Sequence, residues 1–186
     1  MKSAYCARTL SLLLAAYLSL SSTGLALASQ SGGKPAAPTQ GPAGADWKTY
    51  RYVEDNFSAD FPAMPRSQPN DGNTGTRYFA SLENENFAYF VEKAELPDLN
   101  KTPEQLFEDY VNGAAKGTNS QIKSQKPISL KGYPGREFVL ESDAVIMHFR
   151  LYLTGKKLYQ VLVVASKSMA SRAETDRFLN SFALLK

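Results

Sequence analysis

The stretch that decides the fold is VIMHFRLYLTGKKLYQVLVVA, residues 145–165. Apolar residues occupy alternate positions on both sides of Gly155-Lys156, which predicts two antiparallel strands joined by a tight turn at these two residues. With the turn centred there, Tyr152 lies opposite Tyr159. One face of this hairpin is apolar except for a single glutamine, so we expect that face to lie in the core.

The other face of the hairpin is mixed in character, so we expect a helix or loop to cover part of it. It carries His148, Arg150, Tyr152, Tyr159, Val161 and Val163. The candidate binding residues are His148, Arg150, Tyr152 and Tyr159, with Arg136 as an outlying fifth. An arginine can hold an anionic group, and tyrosines offer a flat contact area. A second interpretation stays open, in which Tyr152 and Tyr159 form a cross-strand aromatic pair that stabilises the hairpin.

Outward from this hairpin, the pattern predicts further strands and two helices. The strands are expected at 47–53, 57–61, 76–82, 86–95, 121–131, 135–142 and 182–185, with a loop at 63–74. Thr102, Pro103 and Gln105 form a helix-start pattern, and Gly117 is expected to end that helix. Ser171 and Glu174 repeat the pattern for a second helix, which ends by residues 180–181. The expected fold class is α+β, with an antiparallel sheet sandwiched by helices.

The first 45 residues precede this domain. Residues 1–28 have the features of a cleavable signal peptide, with Lys2 and Arg8 before an apolar run and small residues at 26 and 28. The apolar run, residues 10–20, is too short for a membrane span of about 20 residues, so an uncleaved anchor is the less favoured interpretation. Residues 29–45 are rich in proline and glycine and are predicted to be a disordered linker. Residues 46–186 form the predicted domain.

Charge and composition exclude several function classes. The chain has 21 basic and 18 acidic residues, but Lys2, Arg8 and Lys34 lie before residue 46, which leaves 18 of each in the domain. A neutral domain lacks the basic field of a nucleic-acid-binding protein, so no nucleic-acid partner is expected. His148 is the one histidine, and the one cysteine, Cys6, lies in the predicted signal peptide. A zinc site needs three or four suitable ligands, so no metal and no cofactor are expected.

Catalytic motifs are equally scarce. A catalytic triad would have to use His148, and no Gly-x-Ser-x-Gly motif is present. Glu54-Asp55 falls in a predicted turn and Glu108-Asp109 on an outer helix face, so we expect these acids to be hydrated rather than catalytic. Residues 132–135 are predicted to form a turn between strands. We therefore predict no catalytic residues. The alternative is an envelope hydrolase that uses His148.

Four segments, taken in order, resemble a known group of proteins. They are FSADFP at 57–62, GYPGREF at 132–138, RLYLTGKKLYQV at 150–161 and FLNSFAL at 178–184. Together they resemble bacterial secreted proteins of the PsbP-like (Mog/PsbP) fold group, which includes DcrB-like and LpqN-like proteins. The resemblance implies a PsbP-like antiparallel sheet sandwiched by helices and a non-catalytic adaptor, assembly or ligand-binding role.

The sequence thus predicts an exported, non-catalytic binding, adaptor or assembly protein of the cell envelope, located in the periplasm or outside the cell. Its partner is expected to be an envelope protein or a small ligand of unknown identity, with no stable membrane span after signal cleavage. A third class, a purely structural envelope component, would be favoured by a large exposed apolar patch.

Overall fold

The computed structural model describes residues 46–70, 74–82, 87–97, 100–167 and 172–185. Residues 1–45, with the predicted signal peptide and linker, lie outside these ranges, as does Ser171 of the second predicted helix cap. The described elements are β1 (Lys48–Tyr52), β2 (Phe57–Phe61), β3 (Arg66–Pro69), β4 (Gly75–Leu82), β5 (Phe87–Glu95), α1 (Pro103–Gly117), β6 (Gln121–Leu130), β7 (Tyr133–Glu141), β8 (Val145–Thr154), β9 (Lys157–Ser166), α2 (Arg172–Ser181) and β10 (Ala183–Leu184).

Seven strands form one antiparallel sheet in the order β3-β4-β5-β9-β8-β7-β6. The β8–β9 hairpin lies near its middle, and its predicted register is confirmed: Tyr152 is opposite Tyr159, and His148 is opposite Val163. Gly155 occupies the turn with a φ of 61°, which glycine adopts without steric cost. Strands β1, β2 and β10 form a separate three-stranded antiparallel sheet, which the sequence pattern had not distinguished from the large one.

Each face of the large sheet is covered by different elements, and we name the two faces accordingly. The α1 face packs against α1, and its core includes Phe107, Tyr110, Phe138, Phe149, Leu151 and Leu162. The α2 face packs against α2 and the small sheet, and its core includes Phe57, Phe61, Tyr89, Tyr159, Phe178 and Phe182. This arrangement confirms the predicted α+β fold, with helices on opposite sides of an antiparallel sheet.

Helix α1 begins and ends where the sequence predicts. The Thr102 hydroxyl accepts a hydrogen bond from the Gln105 backbone N–H, and the Gln105 side chain accepts one from the Thr102 N–H. This reciprocal capping satisfies two backbone donors that have no partner inside the helix. The last helical residue is Gly117. The left-handed backbone conformation falls two residues later, at Asn119, where φ is 49°.

Two local predictions are wrong. The predicted loop at 63–74 contains β3, whose four exposed residues pair with β4 but show no apolar alternation. The predicted turn at 132–135 is instead a two-residue turn at Lys131-Gly132, and β7 begins directly after it. Both turn residues have positive φ, 52° and 83°, as a type I′ hairpin turn requires.

Candidate binding site

The structure divides the five predicted binding residues between the two faces of the large sheet. His148, Arg150, Tyr152 and Tyr159 lie on the α2 face, as alternation along the hairpin predicts. Arg136 is opposite Leu151 in the β7–β8 register, and Leu151 belongs to the core beneath α1. Directly paired residues project to the same face, so Arg136 lies on the α1 face and is separate from the other four.

The two tyrosines are buried. Tyr159 is 0% exposed and Tyr152 is 5% exposed, so the prediction that their rings offer a flat contact area has to be corrected. Phe182 covers both rings, with centroid distances of 5.6 Å to Tyr152 and 5.8 Å to Tyr159. The Tyr159 hydroxyl donates to the backbone carbonyl of Asp55. Burial raises the pKa of both phenols, so they remain neutral groups of the core.

Arg150 is held in place by three hydrogen bonds. Its Nε donates to Glu137 Oε2 at 2.7 Å, and its Nη1 donates to the Leu179 carbonyl and to Asn180 Oδ1, each at 2.9 Å. These bonds join β7 and β8 to the last turn of α2. Lys126 on β6 approaches the other Glu137 oxygen at 2.8 Å. Glu137 is therefore shared by two cations.

Partial burial alone would raise the pKa of Glu137, but the hydrogen bonds and charges of Lys126 and Arg150 outweigh it and lower this pKa below its ordinary value. A second carboxylate on β7 is arranged in a similar way. Glu141 lies 2.8 Å from Lys167 Nζ and 3.7 Å from Lys123 Nζ. The hydrogen bond from Lys167, reinforced by the charges of both lysines, lowers the pKa of Glu141. Both carboxylates stay ionised at neutral pH.

Between these two ion clusters lies a row of three side chains, of which Val139 and His148 are half-buried and Ser124 is exposed. In the register, His148 is opposite Val139, and Val139 is opposite Ser124 on β6. We call the surface of β6, β7 and β8 on the α2 side, together with Lys167 just after β9, the β7 face. It comprises Lys123, Ser124, Lys126, Glu137, Val139, Glu141, Ile146, His148, Arg150 and Lys167. Helix α2 packs mainly on β2 and β9 and meets this face at Arg150, while Val139 and His148 stay half-buried.

The sequence predicted the single glutamine, Gln160, on the core face but not the buried ion pair beside it beneath α1. Arg77 and Glu92 form an ion pair with an Nε–Oε2 distance of 3.1 Å, and their side chains are 5% and 2% exposed. Gln160 is opposite Glu92 on the neighbouring strand. Burial, followed by the charge of Glu92, raises the pKa of Tyr110 on α1. A single acid inside the apolar run FAYFVEK, residues 87–93, was the signal that could have indicated a buried partner.

Asp55 also departs from its prediction as a hydrated turn residue. Its carboxylate accepts hydrogen bonds from the Tyr78 hydroxyl at 2.6 Å and from Lys93 Nζ at 3.0 Å. The side chains of Asp55 and Lys93 are mostly buried. Burial, together with the bond to Asp55, raises the pKa of Tyr78. This trio fixes the β1–β2 turn to the large sheet.

In the described ranges, no three His, Cys, Asp or Glu side chains are grouped so that they could hold a metal ion. The two described helices are too short or too polar to cross a membrane.

A comparison with solved structures adds to this geometry. The solution structure of cyanobacterial PsbP (CyanoP) from Synechocystis sp. PCC 6803 superposes with a TM-score of 0.56 at 12% sequence identity. The likeness covers 81% of this chain and 99% of CyanoP. The fold is PsbP-like. No model of a known protein family matches the sequence, and no curated protein sequence matches it. At this identity, the PsbP-like likeness extends to the fold alone.

Proposed function

We propose that this protein is an exported, non-catalytic binding protein of the cell envelope, acting in the periplasm or outside the cell, and that it docks onto a partner protein through the β7 face. The signal-like residues 1–28 support export. The PsbP-like fold is consistent with the adaptor role that the sequence resemblance implies. The finer resemblance to DcrB-like and LpqN-like proteins is part of this proposal.

The observation that carries the proposal is the ordered set of charges on the β7 face, where Arg150 and Lys126 share Glu137, and the directions of the pKa shifts agree with it. In eight described groups the pKa departs from its ordinary value, and all eight shifts lead away from neutral pH. The pKa is raised for Lys48, Tyr52, Tyr78, Tyr110, Tyr152 and Tyr159 and lowered for Glu137 and Glu141. Acid–base catalysts need the opposite shift, towards the working pH. With these shifts the two glutamates remain charged and the tyrosines remain neutral at neutral pH. Fixed charges and apolar packing suit the recognition of a partner.

The β7 face is also organised before any partner arrives. Arg150 is fixed by bonds to Glu137, Leu179 and Asn180, which belong to a strand and a helix. Side chains that are already ordered lose less conformational entropy when a partner binds. A rigid sheet surface with half-buried Val139 and His148 at its centre therefore favours docking.

Site-specific photo-cross-linking in the native cells tests this function. A photoreactive amino acid replaces Val139 on the β7 face, and in a control variant it replaces Asn112 on the exposed side of α1. We expect one stoichiometric cross-linked protein from the position 139 variant and none from the position 112 variant. The same product from both positions, or none from either, would contradict the proposal.

The alternative function, an envelope hydrolase that uses His148, predicts a different result. Turnover of an envelope substrate that disappears in a His148→Ala variant with an unchanged melting temperature would replace the binding proposal. His148 is opposite Val139 and Val163 in the sheet, so its directly paired neighbours supply no nucleophile.

A further inference from the structure

The lysines of the β7 face are more exposed to solvent than the carboxylates that they contact. The side chains of Lys123, Lys126 and Lys167 are 46%, 64% and 41% exposed, whereas those of Glu137 and Glu141 are 22% and 27% exposed. A ligand that approaches this surface therefore meets ammonium groups first. The domain as a whole has equal numbers of basic and acidic residues, so this face has a local positive character.

The positive groups lie in two clusters with a defined separation. Glu137 and Glu141 are four residues apart on one strand, which corresponds to about 13 Å at about 3.3 Å per residue. Lys126 and Arg150 gather at the first carboxylate, and two lysines gather at the second. The row of Ser124, Val139 and His148 lies between them. Helix α2 also carries the acid Asp176, one turn before Asn180, at the border of this face.

The adjacent edge strand β6 is poorly suited to strand addition. Its pairing with β7 is irregular between Ile122 and Ser124, and it contains Pro127 and two exposed lysines. A bulge, a proline and lysines are features that oppose strand pairing at sheet edges. Pairing of β6 with a second copy of itself is disfavoured for the same reason. A partner is therefore expected on the sheet surface.

We propose that the β7 face binds an acidic, extended segment of a partner protein, with carboxylates on the two basic clusters and small apolar side chains over Val139 and His148. This inference rests on the proposed function and specifies the partner. An acidic segment complements the outward lysines. A membrane surface is the less suitable partner, because Glu137 and Glu141 offset two of the four cations of this face, whereas polybasic membrane contacts use about four to eight basic residues.

The test is an NMR titration of the ¹⁵N-labelled full chain with two synthetic nine-residue peptides of identical composition. One peptide has glutamates at positions 3 and 7 among valine and threonine, and the other has them at positions 4 and 5. We expect the first peptide to shift the amide signals of Ser124, Val139 and His148 and to bind at least fivefold more tightly. Its affinity is expected to fall about tenfold between 50 and 500 mM salt. Signals that shift elsewhere, or equal binding of the two peptides, would overturn the inference.

Two charge-reversal variants sharpen the test. The first variant reverses the three lysine charges of the β7 face: Lys123→Glu/Lys126→Glu/Lys167→Glu. The second makes the same change in net charge at exposed lysines elsewhere: Lys48→Glu/Lys116→Glu/Lys156→Glu. We expect at least tenfold weaker binding in the first variant and less than twofold weaker binding in the second. Should the first variant unfold, glutamine replaces the same three lysines instead. This variant is expected to bind the peptide about fivefold more weakly than the natural protein. Equal losses in the two charge-reversal variants would show that only net charge matters and would overturn the inference.

Vesicles of phosphatidylglycerol separate the acidic segment from a lipid surface. Vesicle binding that needs the same three lysines, without binding of either peptide, would overturn the acidic-segment inference. If photo-cross-linking from position 139 yields a partner but the peptides do not bind, this inference fails and the proposed function stands. If cross-linking yields no partner, the proposed function itself fails.

Discussion

The ring of Tyr152 packs directly over Gly135, its partner in the β7–β8 register. A Cβ atom added to Gly135 would lie 2.8 Å from Tyr152 Cδ1 and 2.4 Å from the Leu151 carbonyl oxygen. A Cβ atom does not approach other non-bonded heavy atoms so closely, so the glycine is needed for the tyrosine to reach Phe182.

Gly135→Ala is therefore expected to destabilise the fold by about 1–3 kcal/mol, as overpacked cores usually do. The matched variant is Gly132→Ala, whose Cβ would meet no atom within 4 Å but whose φ is +83°. The second change strains only the backbone and should cost about 1 kcal/mol. Urea denaturation of both variants measures the difference. A Gly135→Ala variant as stable as the natural protein would contradict the close packing seen here.

Replacing only one partner of the buried Arg77–Glu92 ion pair should destabilise the fold more than replacing both. Glu92→Leu leaves a guanidinium without its carboxylate in the core, for which we expect a loss of about 3–5 kcal/mol. Arg77→Met/Glu92→Leu removes both charges and should recover most of that loss. Chemical denaturation of the two single variants and the double variant gives the coupling energy. If the effects of the single changes simply add in the double variant, the pair is not coupled as described.

Glu137 should make stability depend on pH in the acid range. Its pKa is lower in the folded protein than the ordinary value of 4.5, so the unfolded chain binds the proton more readily. The stabilisation is complete above the ordinary pKa and is lost as pH falls through the folded-state pKa. Denaturation midpoints of the natural protein and of Glu137→Gln should differ at pH 7 and converge towards pH 3. A difference that does not shrink on acidification would contradict this pKa shift.

Export can be checked on the chain itself. If residues 1–28 are a cleaved signal, the mature protein recovered from the native cells begins at Ser29, as intact-mass measurement and amino-terminal sequencing would show. Replacing Ala28 with a bulky leucine should block cleavage and leave the heavier chain attached to the membrane fraction. Recovery of the heavier natural chain from the cytoplasm would refute export.

The sequence predicted those parts of the fold that depend on local pattern. Alternation around Gly155 was sufficient for the β8–β9 register, and Thr102 with Gln105 was sufficient for the start of α1. Strand β3 was missed because its four exposed residues show no apolar alternation, and pairing with β4 alone makes them a strand.

The candidate site was predicted less well, because its exposure is decided by residues that are distant in sequence. The face that Tyr159 occupies follows from period-two alternation, but Phe182, which buries it, lies beyond a second helix. Likewise, nothing local indicates that Glu137 lies between Lys126 and Arg150, which come from the two flanking strands. Arg136 lies one residue away along β7 and therefore faces α1.

The order in which the core closes has a consequence for the synthesis of the chain. Phe57, near the start of the domain, packs against Phe182, and β2 takes up Leu184 as its second neighbour. The core on the α2 face therefore cannot be completed until residues 178–184 have left the ribosome. A nascent chain without them still exposes the side chains that α2 and β10 will cover, and under the proposed export such an incompletely folded chain is the form that a translocation channel would thread.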